Sequence, residues 1–508
     1  MKKLSLWQVP TLILPILFCS SALAQTTDVT PSNPNLIAPP TAPTASQPAA
    51  PPTPPTASSP VSSSKYDQQT NLFKPAPVHE FNFDNGLKLL VKQDKRAPIV
   101  ASYVWYKVGS SYEPNGSTGI SHVLEHMMFK GTEKYPTGKF NEILAEIGAQ
   151  NNAFTSDDYT AYYQILASKH LSVAFDVESD RMRGLLLPPL EFKKEIEVVK
   201  EERRWRTDDK PTSKTYEQFK ATAYLNSPYQ TPVIGWMTDL AAMKNDDLKA
   251  WYKQWYAPNN ATLVVVGDVE PKAVYELAKH YFAAIKPSKI TPVKPQKEVP
   301  QIGKRHIVVK APAELPYLLM GYKVPNIAHA KPSWEAYALV VLASILDGGN
   351  SARFPKELVR GQEIASSASA DYEGYGRMNK LFTVSGIPSK DHTVKNLEEA
   401  FLAQIERLKN ELVSPQELAR IKAQTIAEEV YEQDSVSHQA TLIGFLESVG
   451  LGYQVMDDYI NNIQAVTAEQ IQAVAKKYLL EDHLTVAELI PQPIDPNKAK
   501  RPRRSFIR

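Results

Sequence analysis

The stretch His122-Val123-Leu124-Glu125-His126 decides how this chain is read. On a helix, positions i, i+3 and i+4 share one face, so both imidazoles and the carboxylate project the same way. Two neutral imidazoles about one turn apart chelate a single divalent ion, and zinc suits nitrogen ligands. A carboxylate between them can take a proton from a water that such an ion activates. The competing reading is a helix with two surface histidines and a solvated glutamate. The surroundings weigh against it.

Outward from the pair, Gly116 and Gly119 open the helix and Gly131 closes it. Upstream, Phe81–Val91 alternates around Asn85-Gly86 as a hairpin does, and Ile99–Val108 is a strand. Downstream, Lys139–Ile147 reads as a short helix, Asn152–Leu166 as β with a polar turn near Asp157-Asp158, and His170–Leu186 as an amphipathic helix. Pro188-Pro189 ends that helix, and a long one runs from Glu191 to about Arg206. Asp247–Tyr256 is helical and Ala261–Val266 is a buried strand.

The order then repeats. His306–Val309 and Tyr317–Tyr322 are strands, Ser333–Leu346 is a helix, strands follow at Ile364–Tyr372 and Leu381–Ser385, and helices at Thr393–Glu411 and Pro415–Tyr431. The clearest echo sets Leu187-Pro188-Pro189-Leu190-Glu191 beside Val413-Ser414-Pro415-Gln416-Glu417, each with proline at the first turn of a long helix. Shifted by the same offset, Glu202 falls on Glu428 but His122 falls on Gly348, so the second copy has no metal pair. The fold class expected is α+β: two homologous α/β-sandwich domains related by internal duplication, only the first of them chemical. Residues 80–286 form the catalytic domain, 287–304 a Pro- and Lys-rich linker, and 305–491 the non-catalytic domain.

Lys2 and Lys3, an apolar run to Phe18 and Ala22-Leu23-Ala24 read as a secretory signal peptide over 1–24, which predicts a periplasmic protein. Residues 25–79 are a Pro/Ala/Ser-rich linker that cannot bury a core. The single cysteine, Cys19, lies in the leader, so the mature chain has no disulfide and no Cys-based metal site. No later apolar run is long enough for a membrane span. The tail, 492–508, is basic, while residues 25–496 carry a net charge of −6. That balance does not fit a nucleic-acid-binding body.

Two imidazoles leave a catalytic zinc one protein ligand short. The helix after Pro189 offers Glu191, Glu195, Glu197, Glu201 and Glu202. Glu195 and Glu202 lie two turns apart on one face. Spacing alone does not choose between Glu201 and Glu202.

Several longer stretches carry a resemblance: Gly119–Thr132, Asn152-Ala153-Phe154-Thr155-Ser156, Glu195 with Glu202, and Tyr256–Asp268. By these the chain resembles the pitrilysin/insulinase-type inverzincin peptidases, in the half-length branch that includes the mitochondrial processing peptidase β subunit and bacterial periplasmic relatives. The resemblance implies a zinc endopeptidase acting on unfolded peptides, with one Zn²⁺ per chain. It implies His122, His126 and Glu202 as metal ligands, Glu125 as general base and Glu195 as helper carboxylate. It implies Asn152, Ala153 and Phe154 as the edge strand that pairs with substrate. The sequence departs from the family in its second half. An Arg and a Tyr that grip the substrate carbonyl in self-sufficient members are replaced by Val359 and Ser366, with Arg353, Arg360 and Tyr372 nearby but out of register. That departure implies a homo- or heterodimer with a homologous subunit carrying the Arg/Tyr pair. The alternative is a non-catalytic scaffold or peptide-binding homologue of the processing peptidases.

Overall fold

The computed structural model of the chain describes residues 76–294 and 296–495. The expected leader, nearly all of the 25–79 linker and most of the basic tail lie outside the described residues. The first half runs β1 (Val78–Asn82), β2 (Lys88–Gln93), β3 (Ile99–Tyr106), α1 (Ile120–Met127), α2 (Lys139–Glu146), β4 (Gln150–Thr155), β5 (Thr160–Ala167), α3 (Leu171–Gly184), α4 (Pro189–Arg203), α5 (Pro211–Ala223), α6 (Met237–Ala242), α7 (Asn245–Trp255), β6 (Ala261–Gly267) and α8 (Pro271–Phe282). The second runs β7 (Arg305–Pro312), β8 (Tyr317–Val324), α9 (Trp334–Asp347), β9 (Ala365–Tyr372), β10 (Lys380–Pro388), α10 (Val394–Asn410), α11 (Pro415–Glu432), α12 (Val436–Ser448), α13 (Tyr459–Ala465), α14 (Ala468–Tyr478) and β11 (Leu484–Gln492).

The duplication is visible in strand order. The first sheet is β1-β2-β6-β3-β5-β4 and the second β7-β11-β8-β10-β9. Without β1 the two orders superimpose, each with one parallel pair, β2 with β6 and β7 with β11. In both, the strand after the first helical segment, β4 or β9, lies at an outer edge. Each long helix after the echo begins with proline at its first turn, where the missing N–H costs nothing.

The halves interlock. The inner face of the first sheet packs Val100, Val104 and Tyr106 against α1, α3 and α7. Its other face, Ala101, Tyr103 and Trp105, is covered by α12 of the second half through Ala440 and Ile443. Both faces of β3 are therefore buried, which is why its sequence reads as a continuous apolar run rather than an alternation. Gly444 of α12 lies flat on Trp105; a Cβ there would sit 2.1 Å from the indole nitrogen. The reciprocal contact is made by α5 of the first half. Its Phe219 and Ala223 pack on Leu319 and Ala487 of the second sheet. The helix after each long helix thus closes the other half's sheet.

Polar bonds add to this apolar exchange. Arg377, between β9 and β10, donates from Nε to Asp158 Oδ1 (3.1 Å) and from Nη2 to Ser111 Oγ (2.7 Å) in the first half.

Candidate metal and active site

Helix α1 carries His122, Glu125 and His126, all buried. Its N-terminus is fixed from outside the helix. Glu113 accepts from the amides of Gly119 (2.6 Å) and Ser121 (2.8 Å), taking up two of the donors that a helix start leaves unpaired. Asp239 Oδ2 accepts from the amide and hydroxyl of Thr118.

Helix α4 crosses α1 and brings Glu202 to the pair. Glu202 Oε2 lies 3.1 Å from His126 Nε2 and 3.7 Å from His122 Nε2. The three ligand atoms lie within 4.8 Å of one another, and this is the one such group among the described residues. A tetrahedral zinc with ligands about 2.0–2.1 Å away spaces them about 3.3 Å apart. The two carboxylate distances bracket that spacing. The widest separation exceeds it by about 1.5 Å at most, a gap within reach of side-chain torsions. The neighbouring Glu201 turns away: it is 43% exposed and pairs with Arg204 at 2.9 Å.

The supporting groups fix which atoms face inward. Glu195 Oε1 lies 2.9 Å from His126 Nδ1, so His126 presents Nε2 to the cluster. Lys130 Nζ sits 2.6 Å from the other Glu195 oxygen, and Arg206 Nη2 3.0 Å from Glu202 Oε1. Burial works against charge on both carboxyls. For Glu202, the His126 bond and the charges of His122 and Arg206 outweigh burial and hold it well below the usual carboxylate range. For Glu195, the His126 and Lys130 bonds do the same. Both are then carboxylates at neutral pH, as metal ligation and support require.

Glu125 accepts a 2.7 Å hydrogen bond from Thr155 Oγ1 at the end of β4. Asn152, Ala153 and Phe154 precede it on the outer edge strand, which pairs with β5 alone. Asn152 is exposed, and its side-chain oxygen holds the Ala153 amide at 2.9 Å. Phe154 is buried edge-on to Trp105.

Sequence reasoning assigned no role to Thr155, Lys130 or Arg206. The first two stand inside quoted motifs, Asn152–Ser156 and Gly119–Thr132. Arg206 lies four residues after Glu202, the i,i+4 distance.

The second half supplies no counterpart. Helix α9 stands where α1 does in the first half and carries no histidine. Arg353 makes two bonds to Glu417 (3.0 and 2.9 Å), Arg360 donates to the Asn350 carbonyl, and Tyr372 donates to the Pro325 carbonyl at 2.6 Å. All three sets of partners lie in the second half.

The insulinase (peptidase family M16) family model matches residues 88–235, and a second, described as the peptidase M16 inactive domain, matches 242–425. The chain belongs to the M16 family. Zinc protease PqqE of Helicobacter pylori is 33% identical over 82% of this chain and 93% of its own length. A crystal structure of a protease from Helicobacter pylori superimposes with a TM-score of 0.78 at 31% identity, covering 82% of this chain and all of that one. The mitochondrial-processing peptidase subunit beta of Lentinula edodes is 24% identical over 79% of this chain and 88% of its own length. These relatives place the M16 chain in a family of zinc metallopeptidases, and the His122, His126 and Glu202 cluster has the donor set such a metal takes.

Proposed function

We propose that this chain is a zinc-dependent endopeptidase of the periplasm that hydrolyses unfolded peptides, and that it is the metal-carrying subunit of a two-chain enzyme. The observation that carries the reading is the convergence of His122 Nε2, His126 Nε2 and Glu202 Oε2, with Glu125 between the two histidines on α1. When bound, zinc supplies Lewis acidity toward the scissile carbonyl and toward an attacking water. Glu125 takes the proton from that water and returns it to the leaving amine. Thr155 orients the Glu125 carboxylate through its hydroxyl. Glu195 holds the tautomer of His126 and Lys130 holds Glu195.

Substrate binds as an added strand on β4, where Asn152, Ala153 and Phe154 form the outer edge. The incoming backbone takes over the Ala153 donor that the Asn152 side chain holds. Main-chain pairing makes recognition largely independent of sequence and favours unfolded peptides.

The two-chain role is supported by Val359 and Ser366, where the family places a carbonyl grip. It is supported also by a relative whose name makes it one subunit of a processing peptidase. The periplasmic address rests on the leader-like sequence at residues 1–24. The missing grip also favours a second reading, a peptide-binding homologue without turnover. Cleavage of a casein-derived peptide, with and without a chelator, separates the two: chelator-sensitive cleavage that Glu125→Gln abolishes is expected, and binding with no cleavage, even beside a partner, sinks the enzyme reading.

A further inference from the structure

Glu202 stands at the end of its helix. The α-helical ladder of α4 stops at Arg203, and residues 204–208 continue as a wider π turn. π turns inside helices often mark functional sites. The ladder changes pitch just after Glu202, so side chains packed around that turn help set where the ligand points.

The adjacent side chain is one of these. Arg203 is buried and donates from Nη1 to Glu217 Oε2 (2.7 Å) and from Nη2 to Glu217 Oε1 (3.0 Å) on α5. Nη1 also donates to the Gly235 carbonyl at 2.8 Å. Gly235, at φ +82°, lies directly against the start of α1: a Cβ on it would sit 2.4 Å from the Thr118 carbonyl oxygen. One fork therefore ties the end of the Glu202 helix to α5 and to the loop that abuts the start of the His122/His126 helix. None of these groups belongs to the ligand cluster.

Helix α5 is itself seated on the second half. Phe219, two residues from Glu217, lies over Gly321 of β8, where a Cβ would come within 2.6 Å of its ring. Arg305 of β7 donates to the Thr222 and Ala223 carbonyls at the end of α5 (2.6 and 3.0 Å).

We propose that Arg203 and Glu217 are a positioning pair for the third metal ligand, and that through α5 they make the seating of the second half part of the metal site. The bidentate fork fixes direction as well as distance, which a single contact does not. This rests on the reading of His122, His126 and Glu202 as zinc ligands. The second half then sets how tightly the first half holds its metal.

The test uses the full chain and zinc alone, with affinity read by competition against a chromophoric chelator and thermal stability of the metal-free protein measured beside it. The double variant Arg203→Met with Glu217→Met replaces the buried pair by apolar side chains of similar size, a change that folds tolerate well. It should bind zinc at least tenfold more weakly at a metal-free melting temperature close to wild type. Arg203→Lys, which keeps charge but loses the fork, should fall between. Gly321→Ala, in the second half, should weaken zinc several-fold in the wild-type background and have no further effect in the double variant. If the double variant does not fold, Arg203→Lys carries the test alone: it keeps the buried charge paired and should bind zinc several-fold more weakly, and wild-type affinity in it overturns the inference. A double variant that binds zinc like wild type overturns this inference alone, as does a Gly321→Ala effect that adds fully to the double variant's. A wild-type chain that takes up no zinc overturns the metal reading and this inference with it.

Discussion

Thr155 Oγ1 donates a 2.7 Å hydrogen bond to Glu125 Oε2, joining the last residue of the edge strand to the carboxylate between the two histidines. The proposed substrate strand and the proposed base are therefore one mechanical unit. A peptide that pairs along β4 ends beside the group that moves the proton. Thr155→Val keeps shape and removes the donor. A hydrogen bond to a charged group contributes about 1.5–3 kcal/mol, so turnover should fall about 10- to 100-fold with zinc content unchanged. Glu125→Gln, which cannot accept the proton, should lose more. Steady-state peptide cleavage with metal analysis checks both, and a Thr155→Val enzyme at wild-type rate would show the bond to be incidental.

The metal set gives a sharper contrast. The purified mature chain should carry about one zinc. His122→Ala or His126→Ala should remove most of it, because one imidazole and one carboxylate chelate poorly. Glu202→Gln should weaken binding and Glu201→Gln should not, since Glu201 faces Arg204. Full zinc occupancy in the double histidine variant, measured by elemental analysis, would end the assignment.

That last contrast shows where sequence reading stopped. Spacing put Glu195 and Glu202 on one face but left Glu201 and Glu202 equal. Only the crossing angle of α4 over α1 separates neighbours about 100° apart. Most strands and the two helices with proline starts were legible from apolar runs and periodicity, and the duplication was legible in those starts; β11, α5, α8, α12, α13 and α14 were not read from the sequence. Nor was the exchange of α5 and α12. An amphipathic stretch declares an apolar face and does not say which sheet it covers. Phe219 and Ile443 could as well have packed at home. Asp158 reads as a polar turn residue and is indeed in one, yet its side chain is 3% exposed because Arg377 and Tyr229 close over it. No local pattern announces a partner more than two hundred residues away.

Acid stability should register the Asp94–Arg96 pair. Arg96 donates to Asp94 and to Asp434, which follows α11. Hydrogen bonding to Arg96 holds Asp94 down to about 2, against an ordinary 3.8. A depressed carboxyl contributes stability above its unfolded value, and that stability is lost as pH falls through the folded one. With Arg96 half exposed to solvent, the contribution is about 1 kcal/mol at most, lost between about pH 4 and pH 2. Asp94→Asn should be less stable at neutral pH and show a flatter acid limb in denaturant titrations across that window. Parallel curves for variant and wild type would rule the coupling out.

The isolated chain should be a slow peptidase, and a homologue should rescue it. Val359 cannot donate a hydrogen bond, and Ser366 spends its hydroxyl on the Ile387 carbonyl at 3.2 Å. The nearby candidates are committed as well: Arg353 to Glu417, Arg360 to Asn350 and Tyr372 to Pro325. Redirecting Arg353 toward the first half would strand Glu417, which that guanidinium holds below the usual carboxylate range. Losing a donor to the developing oxyanion costs about 10²–10³ in rate. Two missing donors should leave residual, chelator-sensitive cleavage. A homologue with Arg and Tyr at the positions held here by Val359 and Ser366 can offer both donors across an interface. Co-expression with it should raise cleavage by at least about 10²-fold and move the protein to a two-chain species on sizing. Arg→Ala in that homologue should cancel the gain without separating the chains. Turnover of about 1 per second or more by the isolated chain, within the ordinary enzyme range, would refute the need for a partner.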